Sequence, residues 1–205
     1  MRTRVKMCGC TSIDDASLAV EAGADAVGVI LAPSPRRVNL THARAIATSL
    51  PPYVSLIGVF VDPTSDELIA ATSAIPRMRA QFSGHESPAL CALAGTGYVK
   101  VVHVDEGDGW LDAVERYPGV AMLDTAATVA GGSGVTFRWE RVAALAQRRR
   151  TIIAGGLTPE NVGRCITTVR PFAVDVRSGI ESGGVKDHAK MKAFVRAVRE
   201  ADAQA

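Results

Sequence analysis

A short apolar run, a small polar loop and an amphipathic stretch recur along this chain about eight times, at roughly 25-residue spacing. No other feature restricts the fold as tightly. The apolar runs are Arg4–Cys8, Ala26–Leu31, Val54–Val61, Met78–Phe82, Tyr98–Val104, Val120–Leu123, Thr151–Ala154 and Ala173–Val176. Several, such as Val99 to Val104, are dominated by β-branched and aliphatic residues rather than by strict alternation. Strands buried on both faces have that composition, as in a parallel sheet. Eight strands alternating with eight helices, without a linker or a shift in composition, predict one (β/α)8 barrel domain over residues 1–205. The length is near the lower limit for that fold. A doubly wound open sheet would typically show G-x-G-x-x-G after its first strand, and Cys8-Gly9-Cys10-Thr11 is not that motif.

The helices between the runs carry their own signals. Thr11 or Ser12 can cap a helix whose apolar side includes Ile13, Ala16, Leu18 and Val20, with Gly23 ending it. Asp62-Pro63-Thr64-Ser65 opens another helix, where Asp62 reads first as a cap because Pro63 follows it. Pro159 suits the first position of a helix containing Val162 and Cys165. The last helix is expected from about Asp187 to Glu200, with Met191, Phe194, Val195 and Val198 on its buried face. Arg148-Arg149-Arg150 falls near a helix end, where cations suit the dipole, and reads as a solvated run.

A net charge of +2 gives no reason to expect nucleic acid or an acidic membrane surface. No stretch of 18 or more apolar residues occurs, and Met1-Arg2-Thr3-Arg4 lacks the apolar core of a signal peptide. A cytoplasmic enzyme is expected, either monomer or homodimer. Cys8, Cys10, Cys91 and Cys165 are too few and too scattered for a disulfide framework. The pair Cys8 and Cys10 lacks a second cluster that would complete a zinc site, so no metal is expected.

In a barrel of this kind, active sites lie at the C-terminal ends of the strands. Cys8 ends the first strand, either as a packed thiol or as a base or nucleophile. Cys10 is read as packing. The proline-stiffened loop Pro33-Ser34-Pro35 delivers Arg36 and Arg37, either of which can present a guanidinium to a carboxylate or phosphate. Gln81, Ser83 and His85 offer polar groups near the mouth, with His85 at an expected helix start. His103 can face either side of its strand, and Asp105, Glu106 and Asp108 read as a solvated turn. Asp124 follows four apolar residues, and such surroundings disfavour its charge and suit it to donate a proton. Gly131-Gly132-Ser133-Gly134, Gly155-Gly156 and Ser178-Gly179 allow backbone amides to approach an anion. Loops after strands seven and eight often hold phosphate, so an anionic, phosphorylated substrate is favoured.

In order along the chain, these residues resemble the phosphoribosylanthranilate isomerase family of tryptophan biosynthesis. The likeness runs through Val5-Lys6-Met7-Cys8-Gly9, Gly23-Ala24-Asp25-Ala26-Val27-Gly28, Ser34-Pro35-Arg36 and Gly58-Val59-Phe60-Val61. It continues through Leu123-Asp124-Thr125, Gly131 to Gly134, Phe137 with Trp139, and Ala154 to Val162. Val174-Asp175-Val176, Ser178-Gly179-Ile180-Glu181 and Gly184-Val185-Lys186-Asp187 complete it. The resemblance implies an Amadori rearrangement with Asp124 as general acid, Cys8 as general base and Arg36 on the anthranilate carboxylate. It also implies Gln81, Gly132, Gly134, Gly155, Gly156, Ser178 and Gly179 as substrate contacts, mainly at the phosphate, and no metal or organic cofactor. The chain departs from the family pattern at Ser83, where histidine is usual, and at Val135, Arg138 and Arg177. Similar barrels of histidine biosynthesis place an aspartate at the end of strand one, so Cys8 argues against them. Loss of Cys8 or Asp124 would favour a non-catalytic, ligand-binding paralogue, and both are present.

Overall fold

The computed structural model describes residues 2–125 and 136–204. Its parallel strands are β1 (Arg4–Cys8), β2 (Ala26–Ile30), β3 (Ser55–Phe60), β4 (Arg79–Phe82), β5 (Val99–Val104), β6 (Val120–Thr125), β7 (Thr151–Ile153) and β8 (Ala173–Val176). They close in sequence order into a barrel, with Met7 of β1 opposite Val27 on one side and Val176 on the other. Between and after them come helices α1 (Ile13–Ala22), α2 (Leu40–Ser49), α3 (Ser65–Ala74), α4 (Pro88–Ala92), α5 (Gly109–Glu115), α6 (Ala143–Arg148), α7 (Val162–Val169) and α8 (His188–Gln204). A small antiparallel hairpin, β9 (Glu181–Ser182) and β10 (Val185–Lys186), separates β8 from α8. The expected (β/α)8 barrel is the observed fold. Several expected strands run one residue too far, whereas β6 continues beyond Leu123 to Thr125. Asp124 is therefore a strand residue, paired in register with His103 of β5.

Side-chain alternation sorts every strand into two cores. Outward residues such as Val27, Phe82, Leu123 and Val174 join Met191, Phe194, Val195 and Val198 of α8 in the main core between barrel and helices. Inward residues Val99, Val101, Met122 and Ile152 fill part of the barrel, and Cys8, Ile30 and Val59 form a separate inward cluster. Each fully buried aliphatic or aromatic side chain contributes about 1.5–3 kcal/mol. A barrel packed on both sides thus leaves little freedom to the polar groups at its mouth.

Local capping explains where the helices begin. Ser12 accepts a hydrogen bond from the Asp15 amide at 3.0 Å, and Gly23 closes α1. Thr64, rather than the expected Asp62, caps α3, because Thr64 and Glu67 form a reciprocal capping box. Asp62 instead accepts from the His85 amide at 2.6 Å, tying the loop after β3 to the loop after β4. Pro159 is not a first helical residue. It lies in a turn whose Thr158 amide donates to the Asn161 side chain at 2.8 Å, and α7 starts at Val162. Likewise His85 is exposed and precedes α4, which Ser87 caps.

The arginine run is not simply solvated. Arg149 donates to the carbonyls of Val114 at 3.0 Å and Gly119 at 2.6 Å, and to that of Tyr117, so it closes the end of α5. Arg150 lies over the Phe172 ring at 5.3 Å. The acidic turn after β5 is also engaged, since Arg141 pairs with Asp108 at 2.7 Å. Among the described residues no helix is long and apolar enough to cross a membrane.

Candidate active site

The C-terminal strand ends surround a cavity of about 400 Å³, a size suited to a small phosphorylated ligand. Cys8, Gln81, Asp124, Gly155, Gly156 and Ser178 all line it, so six of the expected site residues converge there. Cys8 reaches the wall from β1 with 5% exposure. Cys10 packs behind the barrel, and burial pushes its thiol up to about 12, as befits an inert cysteine. Cys91 and Cys165 are raised for the same reason, to about 11 and about 12.

Asp124 faces the cavity from β6. Burial holds its carboxyl above the usual aspartate range, and the negative charge of Asp175 pushes in the same direction. His103, the Thr125 backbone and Arg177 oppose those effects without cancelling them. A carboxylic acid whose hold on its proton is strengthened in this way is suited to give that proton to an oxygen in the cavity. His103 turns out to face the barrel mouth, its Nδ1 3.3 Å from the Thr125 carbonyl.

Lys6 lies below Cys8 on the same face of β1, and its Nζ meets the Asp175 carboxylate at 2.6 Å. Burial works against the ammonium, but Asp175 and then the Cys8 sulfur outweigh it and hold Lys6 above the ordinary lysine range. The two-residue spacing of Lys6 and Cys8 could have revealed this neighbour, since alternate strand residues share a face. Asp175 could have been noticed as a charge within the apolar run Ala173–Val176.

On the β4 side, the Gln81 amide donates to Ser83 Oγ at 3.2 Å. Gln81 Oε1 is buried without a partner among the described residues, an acceptor suited to a ligand hydroxyl. The loop that carries Ser83 is anchored by Glu86, which takes Lys100 Nζ at 2.7 Å and the amides of Asp62 and Gly84 at 3.0 Å. Both charged side chains are almost wholly buried.

Across the mouth, Gly155 takes a left-handed conformation, φ 82°, and packs directly on Asp124 and Thr125. Asn161 holds the following residue by donating to the Gly156 carbonyl at 2.9 Å. Ser178 opens a 3₁₀ turn, Ser178–Ile180, and lines the cavity beside Arg177. Gly179 does not line it. Its α-carbon instead packs on the Leu157 carbonyl, with no room for a side chain. Gly131 to Gly134, including the expected contacts Gly132 and Gly134, lie outside the described residues, as does Val135.

The structure separates Arg36 from Arg37. Arg37 is exposed and lines a different groove beside α3, whereas Arg36 crosses Gly9 and donates through Nη2 to Glu181 at 2.6 Å. Arg36 itself stands outside the cavity lining. Sequence reasoning assigned no role to Glu181 or Lys186, though both stand in the motifs that carried the resemblance. Among the described residues, no three His, Cys, Asp or Glu side chains gather as a candidate metal site. The arrangement offers an acid, a thiol and glycine-containing loops around a cavity sized for one small molecule.

A family model described as N-(5'-phosphoribosyl)anthranilate (PRA) isomerase matches residues 5–197. The N-(5'-phosphoribosyl)anthranilate isomerase of Pseudomonas fluorescens SBW25 is 45% identical over 201 residues, 96% of this chain and 95% of its own. The crystal structure of phosphoribosyl anthranilate isomerase from Thermotoga maritima superposes with a TM-score of 0.89 at 38% identity, over 97% of this chain and 99% of that one. A phosphoribosyl anthranilate isomerase in complex with reduced 1-(o-carboxyphenylamino)-1-deoxyribulose 5-phosphate gives 0.86 at 35% identity, over 97% and 99%.

Proposed function

The chain belongs to the N-(5'-phosphoribosyl)anthranilate isomerase family, and from that premise we propose that it catalyses the Amadori rearrangement of N-(5-phosphoribosyl)anthranilate to 1-(2-carboxyphenylamino)-1-deoxyribulose 5-phosphate. The observation that carries the reading is the pairing of two groups on one cavity: a thiol on β1 and a carboxyl on β6 whose affinity for its proton is raised.

In this reading Asp124 protonates the furanose ring oxygen. The bond from that oxygen to C1 breaks, and the anilino nitrogen shares its lone pair to give an open-chain iminium. Cys8, as thiolate, removes the C2 proton, and the electron pair moves to leave an enolamine. Tautomerisation then yields the ketose, with the protons taken up and released in equal number. Lys6 offers a positive charge beside the sulfur. Gln81 suits a sugar hydroxyl, Gly155, Gly156 and Ser178 the phosphate, with Gly179 packed behind them on the Leu157 carbonyl, and Arg36 the anthranilate carboxylate. Gly132 and Gly134 belong to the same phosphate assignment. The barrel mouth is small, and a substrate filling it would displace water from both reacting groups.

Loss of anthranilate-type fluorescence from freshly generated substrate measures the reaction. Turnover well above spontaneous decay, abolished in Cys8→Ala, is expected. A folded wild-type protein with no turnover sinks the proposal.

A further inference from the structure

We infer that Glu181 is a positioning residue for the substrate's aromatic carboxylate, acting through Arg36, and that with Lys186 it sets the place of Arg36 relative to the Cys8 strand end. The inference rests on the assignment of Arg36 to that carboxylate.

Glu181 lies between two cations. Its Oε2 accepts from Arg36 Nη2 at 2.6 Å, and its Oε1 accepts from Lys186 Nζ at 2.8 Å. Lys186 goes on to donate to the Cys8 carbonyl at 2.6 Å and to the Arg177 carbonyl at 3.3 Å. An ammonium has three donors, and these contacts account for all of them. Direct bonds therefore run from the guanidinium through one carboxylate and one ammonium to the backbone of Cys8. The β9–β10 hairpin fixes their register, because Glu181 and Lys186 are cross-strand partners, and Lys190 donates to the Glu181 carbonyl at 2.7 Å.

Charge separates this arrangement from an ordinary structural ion pair. Arg36 and Lys186 bring two positive charges against one on Glu181, so the cluster retains one positive charge. The Glu181 and Lys186 side chains are 5% and 3% exposed, while that of Arg36 is 27% exposed. The uncompensated charge is thus best offered to a ligand at Arg36. A guanidinium is a planar fork with five donors, so a bond to Glu181 through Nη2 leaves it able to grip a second carboxylate. Holding a long, rotamer-rich side chain beforehand reduces what the ligand must order on binding.

The test uses Glu181→Asp, which keeps the charge but is one methylene too short to span both cations. Calorimetry would compare reduced 1-(o-carboxyphenylamino)-1-deoxyribulose 5-phosphate with the analogue lacking the carboxylate. Binding of the first should weaken on the order of tenfold, and of the second less than twofold, with KM rising more than kcat falls. Equal weakening of both analogues, or of neither, overturns the inference. Should Glu181→Asp fail to fold, Lys186→Met must show the same selective loss, and its absence there also overturns it. Wild-type protein that does not turn over phosphoribosylanthranilate would instead refute the proposed activity, a result visible before any variant is made.

Discussion

Gly155→Ala offers a sharp test of how the acid is held in place. Gly155 has φ 82°, a backbone region that costs a residue with a side chain about 1–2 kcal/mol. A Cβ there would lie 2.5 Å from Asp124 Oδ1 and 2.5 Å from the Thr125 amide nitrogen, and would also strike Thr125 Oγ1. Because one of those atoms is backbone, a change of rotamer cannot relieve the clash. Overpacking of this kind adds about 1–3 kcal/mol. The sum, about 2–5 kcal/mol, corresponds in a chain of this length to a Tm lower by roughly 4–20 °C. Relief must move β6 or the β7 loop, and displacing a reacting group by about 1 Å can cost on the order of 100-fold in rate. Differential scanning calorimetry and steady-state turnover measure both effects. Gly163→Ala serves as the control, since its Cβ would meet only the Ala201 side chain at 3.9 Å within a helix. That change should stabilise by about 0.5–1 kcal/mol. If Gly155→Ala leaves Tm and kcat unchanged, or if both variants fall alike, the packing of Gly155 on Asp124 is refuted.

Asp124→Asn should lower kcat by about 100- to 10,000-fold while ligand binding persists, read by turnover and calorimetry. The same variant tests linkage. A folded-state pKa raised above the unfolded one gives stability that is present below the unfolded value and lost as pH rises through the folded value. Asp124→Asn should therefore raise Tm at neutral pH and give no gain in strong acid; an equal shift at both pH values would argue against the buried acid. Wild-type kcat should likewise fall as rising pH deprotonates Asp124, and a profile flat on that side would remove it as the proton donor. Arg36→Ala should raise KM for the anthranilate-bearing substrate more than it weakens inhibition by inorganic phosphate; parallel losses would move Arg36 to the phosphate. Glu86→Ala strands the buried Lys100 ammonium and should cost about 3–5 kcal/mol in denaturant unfolding. A loss below about 1 kcal/mol would mean that Lys100 finds water instead.

What the sequence revealed followed the reach of each physical signal. The barrel was legible because β-branched runs and helical periodicity are local, and a ring of strands brings their ends together whatever lies between. Asp124 was legible for the same reason, as a carboxylate at the end of an apolar run. Thr64 also has a local signal, the Thr-x-x-Glu spacing to Glu67, but the neighbouring Asp62-Pro63 pair carries a competing cap signal. The role of Arg149 is not legible locally, because its acceptors lie 30 to 35 residues earlier in the chain, beyond any local pattern. The partnerships of Lys6 with Asp175 and of Arg36 with Glu181 span 169 and 145 residues. Composition names such residues as charged, but only the closed barrel decides which of them meet.

Closure has a further bearing on how this protein comes into being. Cys8 is made near the start of synthesis, yet the lysine that grips its carbonyl is 178 residues away, and Thr3 is fastened to Asp202 across 199. The neighbour of β1 on one side is β8. A nascent chain on the ribosome thus carries Cys8 on an unpaired sheet edge through most of translation, exposed to mispairing and oxidation. Such distant contacts also make the final zipping of the barrel slow relative to its local helices. Premature truncation before Ala173, where β8 begins, should yield no weakened enzyme, only a chain whose first strand never finds its second partner.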